Sequence, residues 1–107
     1  MNLRLSKNSL RLRLDRDECL TLKSIKVLQS QLAFFPEKPL LLDLREGLGL
    51  LKSACYEKSG GFLFEICPKD LQTLEADSKE GVSWIAKNGV EYGIEVDLKS
   101  EKRGLKT

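Results

Sequence analysis

Apolar and polar residues alternate strictly from Leu3 to Leu14, with Leu3 and Leu5 before Lys7-Asn8 and Leu10, Leu12 and Leu14 after it. A period of two is that of a half-buried strand, and the polar pair between the two runs makes them a hairpin. With Lys7-Asn8 as a two-residue turn, Leu5 faces Leu10 and Leu3 faces Leu12, while Arg4 faces Arg11 on the other surface. Asp15 ends the second run and Glu18 follows three residues later, the spacing of a capping box, which predicts a short helix over about 16–23.

Ile25 and Val27 open a further extended stretch through LQSQLAFF, and Pro36 and Pro39 bracket a loop before the apolar strand LLLDL. The glycines of GLGL at 47–50 allow a sharp change of direction, and the order of events then repeats. A strand ending at Glu57 meets the turn Lys58-Ser59-Gly60-Gly61, after which Phe62, Phe64 and Ile66 alternate as Leu10, Leu12 and Leu14 did. Cys67 takes the place of Asp15, and Pro68 stands where a first helical residue tolerates proline, so a second helix is expected over about 69–76. Thr73-Leu74 stands 52 positions after Thr21-Leu22, and Asp97-Leu98-Lys99 echoes Asp43-Leu44-Arg45 at an offset of 54. Around Asn88-Gly89 the last two strands should form a hairpin with Ile85 opposite Tyr92 and Trp84 across from Gly93.

The predicted fold is α+β and mainly antiparallel β. Two tandem ββαββ repeats, roughly 1–48 and 49–100, form a pseudo-twofold sandwich or partly closed barrel whose ends are plugged by two short helices. A chain of 107 residues is expected to make a single domain, with 101–107 as a flexible tail.

The stretch LRLSKNSLRLRLDRDE resembles the opening of a family of short, functionally uncharacterised bacterial proteins. Their chains begin with a basic strand, a polar Asn-Ser turn and an aliphatic-Arg-Leu-Arg-Leu strand that leads into a short helix. The likeness runs over residues 3–22 and is positional beyond them, and the C-terminal EKRGLKT departs from the more acidic, proline-bearing end of that family. The resemblance implies this fold and a bacterial cytoplasmic setting, and it carries no activity.

Composition narrows the function classes. A hydrophobic fraction of 41% and a charged fraction of 32% are those of an ordinary globular protein, and a net charge of +2 is too balanced to imply a nucleic-acid partner by itself. No run approaches the roughly 20 apolar residues of a membrane span, and the alternating N-terminus is unlike a signal peptide, so a cytoplasmic protein without a membrane partner is expected. Cys19, Cys55 and Cys67 are odd in number and lack paired spacing, which argues for reduced thiols and against a zinc site. Histidine is absent, removing the commonest general base and metal ligand. No phosphate-binding, nucleophile-elbow or metalloprotease motif occurs, and no cofactor or metal is expected.

Three candidate sites remain. Arg4, Arg11 and Arg13 should share one face of the opening hairpin, where their planar donor forks suit phosphate or carboxylate; Glu91, Glu95 and Asp97 are placed to neutralise them instead. No aromatic residue is interleaved with these arginines, which weighs against stacking on RNA bases. Cys67 at a helix N-cap is a candidate reactive thiol, set against its reading as a small apolar packing residue with no histidine to activate it. Phe34 and Phe35 are a candidate interface for a protein partner or a second copy of the chain, because adjacent strand residues point to opposite faces. The leading functional expectation is a small non-enzymatic binding or protein-interaction module, with an anionic ligand as one option. The alternative is an enzyme or redox protein using Cys67 or a carboxylate cluster in the cleft between repeats.

Overall fold

A computed structural model describes residues 1–33, 37–75 and 81–96; the proposed interface at Phe34 and Phe35, Asp97 and the tail 101–107 lie outside them. The opening hairpin has the predicted register. Strands β1 (Asn2–Ser6) and β2 (Ser9–Leu14) pair antiparallel with Leu5 opposite Leu10, Leu3 opposite Leu12 and Arg4 opposite Arg11. Helix α1 (Arg16–Ile25) starts from the capping box: the Glu18 amide donates to the Asp15 carboxylate at 2.8 Å, and the Asp15 amide donates to the Glu18 carboxylate at 3.0 Å. Ile25 is the last residue of this helix rather than the first of a strand, because the helix runs on until Lys26 enters the left-handed region at φ 65° and donates to the Leu22 carbonyl.

The remaining elements are β3 (Val27–Leu32), β4 (Leu40–Glu46), β5 (Ala54–Lys58), β6 (Gly61–Ile66), α2 (Pro68–Glu75), β7 (Val82–Ile85) and β8 (Glu91–Val96). They make two four-stranded sheets, in the order β1-β2-β8-β7 and β3-β4-β6-β5. Both sheets are mixed. The outer pairings are antiparallel, as alternation predicts, but the central pairs β2–β8 and β4–β6 run parallel. Alternation reports one wet face and is blind to the direction of a neighbour: two hairpins laid side by side with β2 and β8 in contact keep that face while pairing in parallel. Among the described residues neither sheet closes on itself, so they form no closed barrel. The two helices pack against each other and do not close opposite ends.

The last hairpin is shifted by one residue from its predicted register, with Trp84 opposite Tyr92, Ile85 opposite Glu91 and Ser83 opposite Gly93. The cause lies in the turn. The Ala86 amide donates to the Val90 carbonyl and the Gly89 amide to the Ala86 carbonyl, so the loop has three residues, with Gly89 at φ 84°. A type I turn followed by a left-handed glycine closes a hairpin one residue longer than the two-residue turn that Asn-Gly suggests.

Inward-facing residues of both sheets meet in one core. Leu12, Leu14, Leu42, Leu44, Phe64, Ile66 and Ile94 are almost wholly buried, with Leu22, Leu71 and Leu74 from the helices beside them. Each such side chain is worth about 1.5–3 kcal/mol on burial, so a one-residue slip in any strand would forfeit several of these contributions together. Phe64 meets Trp84 of the other sheet edge to face, with ring centroids 6.4 Å apart.

Candidate functional site

Pairing places Arg4, Arg11 and Arg13 on one face, as predicted, and the parallel register of β2 with β8 sets Glu91 and Glu95 on that same face. Arg11 donates to Glu91 at 2.6 Å, and Glu95 draws in Arg4 at 3.3 Å and Arg13 at 3.7 Å. A parallel pair keeps residues in register on one side, so these contacts follow directly from the order β1-β2-β8. The arginines therefore brace their own sheet across residues some 80 positions apart in the chain. Neutralisation by Glu91 and Glu95, the second of the two sequence readings, is the geometry observed; Asp97 lies outside the described residues. The other sheet repeats the device on its outer face, with Arg45 on Glu65 at 3.0 Å and Lys58 on Asp43.

Cys67 stands at the start of α2 and is only 2% exposed. Its side chain does not cap the helix as a carboxylate would. Instead Ser53, itself buried, accepts the Cys67 amide proton at 2.9 Å and donates its hydroxyl to Asp70 at 2.6 Å. Cys55 lies nearby on β5, where burial pushes its thiol up to about 12, far from the range in which a thiolate forms at neutral pH. Among the described residues no group of three or more histidine, cysteine, aspartate or glutamate side chains is placed to hold a metal ion.

The larger feature here is a cleft of about 770 Å³ between the edge strands β5 and β7, with the start of α2 and the loop before β5 as its remaining walls. Its floor holds Trp84, Tyr92, Cys55 and Cys67, its sides carry Leu51 and Ile85, and Lys52, Lys69 and Lys87 stand around it. These three lysines are exposed and make no ion pair among the described residues, in contrast to the arginine row. Asp70 is the one acidic side chain in the described lining, and it is engaged by Ser53. A volume of several hundred cubic ångströms, apolar walls and a few converging polar groups are the ordinary attributes of a binding site.

Sequence reasoning identified Cys67 and passed over the lysines. They lie 17 and 18 positions apart, on a loop, a helix start and a hairpin turn, and no local pattern links them. Only the pairing of β7 with β8, and of β8 with β2, carries Lys87 to the side of the molecule where Lys52 and Lys69 stand. No helix among the described residues is long and apolar enough to cross a membrane.

The class defined by these observations is an α+β protein of two mixed four-stranded sheets with a lysine-rimmed, aromatic-floored cleft at one pair of sheet edges. Comparison with known protein families, with curated proteins and with solved structures finds no match.

Proposed function

We propose that the protein is a non-enzymatic binding module for an anionic partner, with the lysine-rimmed cleft as its site. The observation that carries this reading is the contrast between the two basic surfaces. The guanidiniums of the first hairpin are matched by carboxylates within ion-pairing distance, whereas Lys52, Lys69 and Lys87 surround a cavity with no described carboxylate to spare for them. Ammonium groups on flexible stems around a partly apolar wall attract and hold an anion without committing their own neighbours.

The reading takes the fold as a twofold repeat. Exchanging β1, β2, β3 and β4 with β5, β6, β7 and β8 turns one strand order into the other, which favours a repeat, and the core shared by both sheets favours a sandwich. At an offset of 52, the Met1 ammonium on Glu18 corresponds to the Ser53 hydroxyl on Asp70, and Asp15 corresponds to Cys67. With Arg11 matched to Leu63, the central registers match Asp43 with Gly93 at an offset of 50, since Asp43 pairs with Leu63 and Gly93 with Arg11; the echo at Asp97 lies outside the described residues. Lys69 then corresponds to Asp17 of the first repeat. The fold thus tolerates acid where the second repeat has a lysine, so the basic cleft is particular to one half.

Trp84 is the sole tryptophan of the chain and lies in the cleft lining, so its emission reports occupancy. Titration with poly-L-glutamate or inorganic tripolyphosphate is expected to give a saturable change that salt weakens and that Lys52→Ala, Lys69→Ala and Lys87→Ala together abolish. An unchanged emission with both polyanions at low salt overturns the reading. The enzyme or redox alternative has the presence of Cys67 in the lining in its favour; alkylation of Cys67 in the folded protein faster than in a free thiol peptide would favour that alternative.

A further inference from the structure

We infer that the partner of the cleft is an extended acidic segment of another protein, added as a strand to the free edge of β7. This deepens the anionic-partner reading and rests on it. The backbone supplies the first argument. The Ala86 amide bonds toward β8, and in an antiparallel pair alternate residues turn their amides to the same neighbour, so Ala86, Trp84 and Val82 face β8 while Ser83 and Ile85 present their N–H and C=O groups outward. No described strand pairs with that side of β7, and an open edge is a template for another chain.

The side chains beside this edge supply the second argument. Leu51 is 93% exposed and Ile85 72% exposed, and they stand in the lining of the same cleft, next to the half-buried Trp84. A small anion held by the lysines would leave both in water, whereas a strand laid along β7 turns one set of alternate side chains into the cleft toward Trp84 and Leu51 and lays the other set beside Ile85 on the outer face. Charge supplies the third: Lys52, Lys69 and Lys87 flank the path, so a segment that alternates apolar and acidic residues is complementary to it in both respects. The four residues of β7 span about 13 Å at a rise of 3.3 Å per residue, which sets the bound segment at about four to six residues.

The test uses an end-blocked hexapeptide of alternating glutamate and valine, together with two versions N-methylated at alternate amides, one set on each edge of the peptide. A strand seated on β7 tolerates methyl groups on one edge and not on the other, so one methylated version should bind as the parent does and the other at least tenfold more weakly, read by Trp84 emission. At saturation the Ser83 and Ile85 amides should exchange with solvent at least tenfold more slowly, measured by NMR. Equal binding of all three peptides, or unchanged exchange at Ser83 and Ile85 with the parent bound, overturns strand addition and leaves the anion site standing. Adenosine monophosphate binding more tightly than the hexapeptide overturns the inference in favour of a small ligand. Silence of Trp84 toward hexapeptide, poly-L-glutamate and tripolyphosphate alike overturns both this inference and the proposed function.

Discussion

The hydroxyl of Ser53 donates to the carboxylate of Asp70 at 2.6 Å, and the same oxygen accepts the Cys67 amide, so a serine in the loop before β5 does for α2 what the Glu18 carboxylate does for α1 when it accepts the Asp15 amide. In α1 that acceptor comes from within the helix, and in α2 it comes from 14 residues away in the chain. Ser53→Ala removes both bonds at a buried site and strands an amide. It is expected to cost about 1–3 kcal/mol in urea unfolding, with little change in the slope. Asp15→Ala, which breaks a solvent-exposed capping box, should cost about 1 kcal/mol.

Two glycines make opposite demands on a methyl group. A Cβ at Gly61 would lie 1.8 Å from the Leu41 carbonyl oxygen, within the parallel pairing of β4 and β6, so Gly61→Ala has to part the sheet. Gly89 stands at φ 84° with open space around it, so Gly89→Ala meets only backbone strain. Thermal unfolding should show Gly89→Ala lowering stability by about 1 kcal/mol and Gly61→Ala by several times that, or failing to fold.

Arg11 and Glu91 are each a little over a third exposed, a setting in which water and salt screen an ion pair. A double-mutant cycle with Arg11→Ala and Glu91→Ala should give a coupling of about 0.2–1 kcal/mol that shrinks at 1 M salt. Glu91→Gln with Glu95→Gln removes the carboxylates that face Arg4 and Arg11. That double variant should be retained on heparin at salt concentrations that elute the parent, because the opening hairpin then carries two fewer negative charges beside Arg4 and Arg11.

The Cys55 thiol, raised by burial from its ordinary 9.0 to about 12, ties stability to alkaline pH. The unfolded chain ionises this thiol first, so the contribution of Cys55 to stability is complete below pH 9 and is lost as pH rises from about 9 to about 12. Cys55→Ala should flatten the decline in urea midpoint over that window. Alkylation of Cys55 in the folded protein at pH 9 should be slower than in the unfolded chain, read by mass spectrometry of the peptide that contains it.

Local chemistry made the first hairpin and both helix starts legible, because Leu3 to Leu14 alternate without a break and Asp15 and Glu18 sit at capping spacing. Where turn length decided, the pattern misled: Asn88-Gly89 suits a two-residue turn, yet the closing bond falls between Ala86 and Val90 and moves Trp84 from Gly93 to Tyr92. The direction of the central pairs was illegible for a different reason. Alternation in β2 is the same whether β8 runs with it or against it, so nothing within either strand encodes the choice. The cleft inherits that blindness. Lys52, Lys69 and Lys87 meet only because separate hairpins share sheets and sheet edges, whereas Arg11 and Glu91, both on strands, were visible as candidates from parity alone.

Each parallel central pair joins one half of the chain to the other: Leu12 lies beside Ile94 and Leu44 beside Phe64. During synthesis, β1 and β2 emerge with one flank unsatisfied and must wait for β8, so the first described sheet strands are completed by the last described one. Such late closure slows folding relative to a chain of local contacts, and it leaves an open strand edge on any fragment that stops at the midpoint. The parallel seam is therefore a lock between N- and C-terminal halves. A nascent chain released before β8 is exposed to wrong pairings, and one released after it is held from both ends.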